Sequence, residues 1–167
     1  VGEVNRIGLE NQPNACATVG LMQVSPNSRN VIPGSVFFCI VFRHLKDEVL
    51  SGMDAELRKV CAEIAADIGL EMEFEEIWYS PPVAFDEDCV SAVRKACEGG
   101  DIPHMDIVSG AGHDACYLSR VAPTAMIFTP CENGISHNEI EAAEPEHLEA
   151  GCNVLLQAMI ERANATQ

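Results

Sequence analysis

Three short stretches carry residue types that could do chemistry. "TPCENGISHNE", residues 129–139, follows an apolar run and places His137 between Ser136 and Asn138, with Glu139 close behind. A neutral imidazole at a strand mouth is a good zinc ligand, and Glu139 could orient it or its neighbours. One histidine is not a site, since structural zinc takes four ligands and catalytic zinc about three plus water. The alternative for His137 is an ordinary loop histidine bonded to backbone. "SGAGHDA", residues 109–115, offers small residues that admit a ligand to backbone N–H groups just before a helical turn. That arrangement suits a carboxylate. The competing reading is a tight turn in which Asp114 caps the next helix. The stretch lacks the "GK[ST]" ending of a phosphate-cradling loop, which disfavours nucleotides.

The third stretch is "NSRNVIPG", followed after a short strand by "FRH". Arg43 ends an apolar run, where an arginine either snorkels to solvent or forks onto a carboxylate. Asn30, before Val31 and Pro33, is ordinarily a turn residue. No serine or cysteine sits in a nucleophile-elbow pattern, and no "HExxH" helix is present. Nucleophilic catalysis has nothing to stand on.

The elements that must position these residues are readable from periodicity. "VGEVNRIGLENQP" reads as the tail of an amphipathic helix, with no initiator methionine and no cap before Val1. Strands are expected at 17–24 and 35–44, the second rich in β-branched and aromatic residues. From Asp47 to Ile68, apolar residues recur at helical spacing and Gly69 supplies the stop. "LEMEFEEIWY", residues 70–79, alternates apolar and acidic residues as a strand with one wet face does. This first section, 1–79, therefore reads as β-β-α-β after a helix tail. "SPPVAF" marks a domain crossing. The second section, 80–167, reads as a helix over 86–98, a strand at "MDIVSG", a helical turn, a buried strand at "PTAMIFTP" and a final helix from about Pro145. That is half of an α/β sandwich.

Composition narrows the partners. Acidic residues outnumber basic ones 26 to 10, a formal charge of −16. Such a surface repels phosphate backbones and anionic lipid, which argues against nucleic acid or membrane partners. No apolar run approaches the roughly 18 residues of a membrane span, and no secretory signal opens the chain. Eight cysteines are scattered without a CxxC pair, several inside apolar runs. They read as reduced thiols in a cytoplasmic protein. The "NAT" at 164–166 matches a glycosylation acceptor, a pattern that chance supplies readily.

In this order, "ATVG…VSPNSRNVIPGSVFFCIVFRH", "SPPVAFD" and "DIVSGAGHDACYLSRVAPTAMIFTPCENGISHNE" resemble the C-terminal half of the N-carbamoyl-L-amino-acid amidohydrolases. These are relatives of β-ureidopropionase and allantoate amidohydrolase among the aminoacylase-like di-zinc exopeptidases. The resemblance covers essentially the whole chain. It implies an α/β fold: an α+β lid portion followed by half of an α/β sandwich catalytic domain, together a fragment of a two-domain metallohydrolase. It implies that His137 is a metal ligand, that Arg43 and Asn30 grip the substrate carboxylate, and that backbone near Ala111 and Gly112 meets the same group. His113 and Asp114 belong to that motif without a firm catalytic role, and hydrogen bonding by His113 to hold the loop's shape is the simpler task for it. Two divalent metals, zinc or else manganese, cobalt or nickel, are implied. Their other ligands and the general-base glutamate belong upstream of Val1, so the chain by itself should be inactive. A homodimer through the lid is implied too. The runner-up within the same chemistry is allantoate cleavage. The alternative of another class is an inactive dimerisation or interaction module.

Overall fold

A computed structural model of the chain describes residues 1–165 and shows a mixed helix-and-strand fold. It separates into two compact units, Val1–Pro82 and the part from Val83 on.

The first unit is built on a two-stranded sheet backed by two helices. Helix α1 (Gly2–Glu10) buries Val4, Ile7 and Gly8 on one face, and strand β1 (Cys16–Ser25) runs antiparallel to β2 (Ser35–Arg43). The register pairs Cys16 with Arg43 and Ser25 with Ser35, and it shifts between Val19 and Leu21. Gly20 is the extra residue of this bulge, a place where the missing side chain leaves room for the local kink. Alternation along the strands sends Ala17, Val19, Ile40 and Phe42 inward, against a core of Val4, Ile7, Ala15, Met53 and Leu57. Gly8 allows the close approach of α1 to β1, since a Cβ there would lie 2.6 Å from the Ala17 Cβ.

Helix α2 (Asp47–Ile68) begins with Asp47 and Glu48 in its first turn, favourable at the positive end of the helix dipole. It ends on Gly69 in the left-handed conformation, φ 68°, a geometry that favours glycine. Met53 and Leu57 are its core residues. Arg6 joins the two helices: its guanidinium reaches Glu3 at 2.7 Å, Glu10 at 2.5 Å and Glu56 at 2.8 Å.

The strand expected at 70–79 is not formed. The segment instead returns along α2, with Phe74 packed on the core beneath Arg58, whose Cζ sits 4.3 Å from the ring centroid. Arg58 also reaches Glu76 at 3.7 Å, and the Tyr79 hydroxyl donates to Asp47. The alternating pattern does supply one dry face and one wet face. A strand also needs a hydrogen-bonding neighbour, and among the described residues the sheet stops at two strands.

The second unit packs α3 (Glu87–Gly99) against α5 (Pro145–Ala165) through Ala92, Cys97, Val154 and Ala158. Asp86 caps α3 by accepting the Cys89 N–H at 2.9 Å, and its own N–H donates to the Thr124 carbonyl at 3.0 Å. Lys95 reaches Glu161 at 2.8 Å across the helix pair. Between them lie the short helix α4 (Asp114–Leu118) and a 3₁₀ turn, Glu132–Gly134. Neither "MDIVSG" nor "PTAMIFTP" forms a strand, and the second unit has no sheet among its described residues. An apolar run destined for the middle of a sheet takes ladder bonds from both sides, and the described residues offer it no pairing strand. The 123–130 segment still packs tightly, since a Cβ at Gly151 of α5 would lie 2.6 Å from the Thr129 Cγ2.

Candidate functional site

In the first unit, Arg43 and Asn30 sit at opposite ends of one ribbon. Arg43 is the last residue of β2, opposite Cys16, exposed, and on the sheet face away from Phe42 and the core. Asn30 lies in the connection at the other end, where Gly34 N–H donates to the Ser25 carbonyl at 2.9 Å. Its Oδ1 accepts from Ser28 Oγ at 2.8 Å, as a turn residue does. The nine residues of β2, eight steps of roughly 3.4 Å, span about 27 Å. One copy of the ribbon therefore does not bring Asn30 and Arg43 to a single carboxylate. Next to Arg43, His44 Nδ1 accepts the Lys46 N–H at 3.0 Å, which gives it a structural task in the turn leading to α2.

In the second unit, the 109–113 loop is closed by side chains. Ser109 Oγ accepts the Ala111 N–H at 3.2 Å and lies 2.6 Å from His113 Nε2. The His113 ring meets Phe128 edge to face, with centroids 5.5 Å apart. The Ala111 N–H is thus engaged within the loop, whereas Gly112 N–H has no hydrogen-bond partner among the described residues. The expected cap also differs: His113 occupies the N-cap position of α4 without a side-chain bond, and Asp114 stands in the first turn. A carboxylate one residue inside the helix still favours its positive end but cannot accept as a cap does. Ser109 escaped notice in the sequence because a serine at the end of an apolar run looks like a turn residue.

His137 adopts a left-handed backbone, φ 55°, uncommon for a residue with a side chain. Its N–H donates to Glu141 Oε2 at 2.7 Å, and Glu141 N–H donates to the Asn138 carbonyl at 3.0 Å. The carboxylate that meets His137 is thus that of Glu141, at the backbone amide and not at the ring, while Glu139 makes no hydrogen bond or ion pair among the described residues. The reason is geometric: the left-handed residue turns the chain back so that the carboxylate four positions on, not two, meets its amide. The signal available in sequence was only the spacing His137–Glu141.

No three histidine, cysteine or carboxylate side chains among the described residues come together as a metal-binding group. One imidazole falls short of the three or four ligands that zinc requires, so the residues of this chain do not by themselves make a metal site. A cavity of about 480 Å³ opens between α3, α5 and the 125–129 segment, lined by residues such as Val93, Ile127, Leu155 and Met159. None of Ala111, Gly112, His113, Asp114, His137 and Glu139 lines it.

Residues 4–161 match the model of peptidase family M20/M25/M40. The chain is 43% identical over 164 residues to an N-carbamoyl-L-amino-acid amidohydrolase of Rhizobium meliloti, covering 98% of this chain and 39% of that protein. It is 34% identical over 143 residues to an allantoate amidohydrolase of Escherichia coli, covering 83% of this chain and 34% of the relative. Among solved structures, a hydantoinase/carbamoylase-family amidase from Burkholderia multivorans superposes with a TM-score of 0.92 at 66% identity, covering 98% of this chain and 40% of that one. The chain thus spans about two fifths of the length of the carbamoyl-amino-acid amidohydrolases it matches.

Proposed function

The chain belongs to peptidase family M20/M25/M40, and from that membership we propose that it is the C-terminal portion of a metal-dependent amidohydrolase acting on N-carbamoyl-L-amino acids or N-carbamoyl-β-alanine. The products are the amino acid, ammonia and carbon dioxide. The observation that carries the reading is the match of nearly the entire chain, 98%, to a carbamoyl-amino-acid amidohydrolase. Within it, an exposed arginine closes the strand that the resemblance assigns to substrate binding.

In this reading residues 1–79 are the second half of a lid and residues 80–167 the second half of a catalytic domain. Arg43 takes the substrate carboxylate with a planar two-pronged guanidinium, which fixes the orientation of the ureido group as well as its distance. Gly112 N–H is the loop's available backbone donor to the same end of the substrate. His137 contributes one ligand to a divalent-metal centre whose remaining ligands, with the general base, lie outside this chain. Asn30 can serve the same carboxylate only from a second copy, given the length of the ribbon. That supports a homodimer through the lid, as do the exposed Leu21, Phe37 and Val41 on the ribbon's outer face. Eight free thiols support a reducing compartment, which we take as the cytoplasm. No described helix is long and apolar enough to cross a membrane.

The test uses the full-length protein that carries this chain. Ammonia release is followed from N-carbamoyl-L-amino acids, N-carbamoyl-β-alanine and allantoate, with added zinc, manganese or cobalt, for wild type and Arg43→Ala. Loss of one partner of a desolvated charge pair costs roughly 2–5 kcal/mol, so carbamoyl turnover should fall on the order of a hundredfold or more in kcat/KM. Turnover of allantoate alone would move the assignment to the other relative, and absence of metal-dependent turnover would leave an interaction module.

A further inference from the structure

Resting on that proposed function, the 109–113 loop holds a second kind of information: the proton position on His113. Ser109 Oγ already accepts the Ala111 N–H at 3.2 Å and stands 2.6 Å from His113 Nε2. A serine hydroxyl has one hydrogen and two lone pairs. With one lone pair taken by the amide, the hydrogen is free to turn onto Nε2, and the separation suits a short O–H···N bond. The opposite assignment, Nε2–H donating to Ser109, would leave that hydroxyl accepting twice, with its own hydrogen turned to solvent and no bond made within the loop by it. Phe128 meets the ring from another side in an edge-to-face contact, with centroids 5.5 Å apart. The remaining nitrogen, Nδ1, has no partner among the described residues.

We propose that Ser109 is a positioning residue that holds His113 as the Nδ1–H tautomer and aims that single neutral donor out of the loop toward an oxygen of the bound substrate. Which ring nitrogen carries the proton is set by the bond made at the other. Removing the hydroxyl returns the choice to solvent and leaves the ring's direction to Phe128 alone.

The experiment compares wild type, Ser109→Ala and Ser109→Thr in the full-length protein labelled with ¹⁵N-histidine, at about pH 8, where an ordinary imidazole is neutral. The expected spectrum shows His113 as Nδ1–H in wild type and Ser109→Thr, and shifted toward Nε2–H in Ser109→Ala. The same variants are assayed on the N-carbamoyl substrate. Ser109→Ala should lose about fivefold in kcat/KM, the factor carried by one neutral hydrogen bond, and Ser109→Thr should stay within about twofold of wild type. A wild-type Nε2–H tautomer overturns the proposal, as does a spectrum that Ser109→Ala leaves unchanged. Equal losses in the alanine and threonine variants do so too. A wild-type protein that turns over no carbamoyl substrate sinks the functional reading instead, while the tautomer still decides the role of Ser109.

Discussion

Glu141→Ala should release the backbone of His137. In the left-handed region an L-residue is disfavoured by roughly 1–2 kcal/mol, so His137 at φ 55° needs a compensating interaction. The bond from its N–H to Glu141 Oε2, 2.7 Å long, is such an interaction. Hydrogen bonds to charged groups contribute about 1.5–3 kcal/mol in mutational series. Both residues are exposed, and solvent competition brings the useful part here down to about 1 kcal/mol. That compensates the backbone only in part. Without Glu141 the population of the left-handed conformer should drop about fivefold, the factor for 1 kcal/mol. Amide hydrogen exchange at His137 in the full-length protein reads this directly. Exchange should quicken about fivefold in Glu141→Ala and by less in Glu141→Gln, which keeps an acceptor oxygen. Identical exchange in wild type and Glu141→Ala would refute the reasoning, because the carboxylate would then contribute nothing to the conformation. If His137 is a metal ligand as proposed, equilibrium dialysis should also show weaker metal retention in the variant.

Two further perturbations test the packing and the caps. Gly8→Ala sets a Cβ 2.6 Å from that of Ala17, an overpacking of about 1–3 kcal/mol that the better helix propensity of alanine, up to about 1 kcal/mol, does not cancel. Urea unfolding of the full-length protein should show the loss, and the double variant Gly8→Ala/Ala17→Gly should recover most of it. Asp86 is held below the ordinary aspartate value of 3.8, first by the Cys89 N–H and further by the charge of Arg162. A carboxylate with a depressed folded-state pKa adds stability that is present above the unfolded value and is lost as pH falls through the folded one. The melting temperature of Asp86→Ala should therefore lie below that of wild type at pH 6. The gap should close as the pH drops under 3.8. A gap independent of pH would mean that the cap's charge is irrelevant.

The helices were legible because their signals are local. The 47–68 repeat, the acidic first turn and Gly69 all lie within the element they define, and the structure returns α2 with those bounds. Asp86 before the 87–99 helix is a signal of the same kind. The segments at 70–79, 105–110 and 123–130 carry strand-like patterns, but a strand exists only with a neighbour. Their patterns describe faces, not partners, so Phe74 is found packed under Arg58 and Thr129 against Gly151 with no ladder bond between strands. Ser109 and Glu141 were illegible for a related reason. Each acts on a residue four positions along, through a turn whose direction depends on backbone angles that residue types do not state.

The pair Asn30 and Arg43 shows how a sequence motif and a distance constrain each other. Thirteen positions apart in the chain, they invite the reading of one grip on one carboxylate. The register puts the whole of β2 between them, with Asn30 in the connection beyond the Ser25–Ser35 pair and Arg43 opposite Cys16, so the ribbon holds them apart by its own length. A stiff, hydrogen-bonded ribbon cannot fold back over about 27 Å. Either Asn30 is only the turn residue that its bond from Ser28 makes it, or two copies each lend one end of the ribbon to a shared site. The second case predicts that inactive Arg43→Ala and Asn30→Ala proteins, mixed and allowed to exchange subunits, recover turnover from hybrid sites that carry both side chains. In the first case Asn30→Ala alone stays active, and mixing adds nothing.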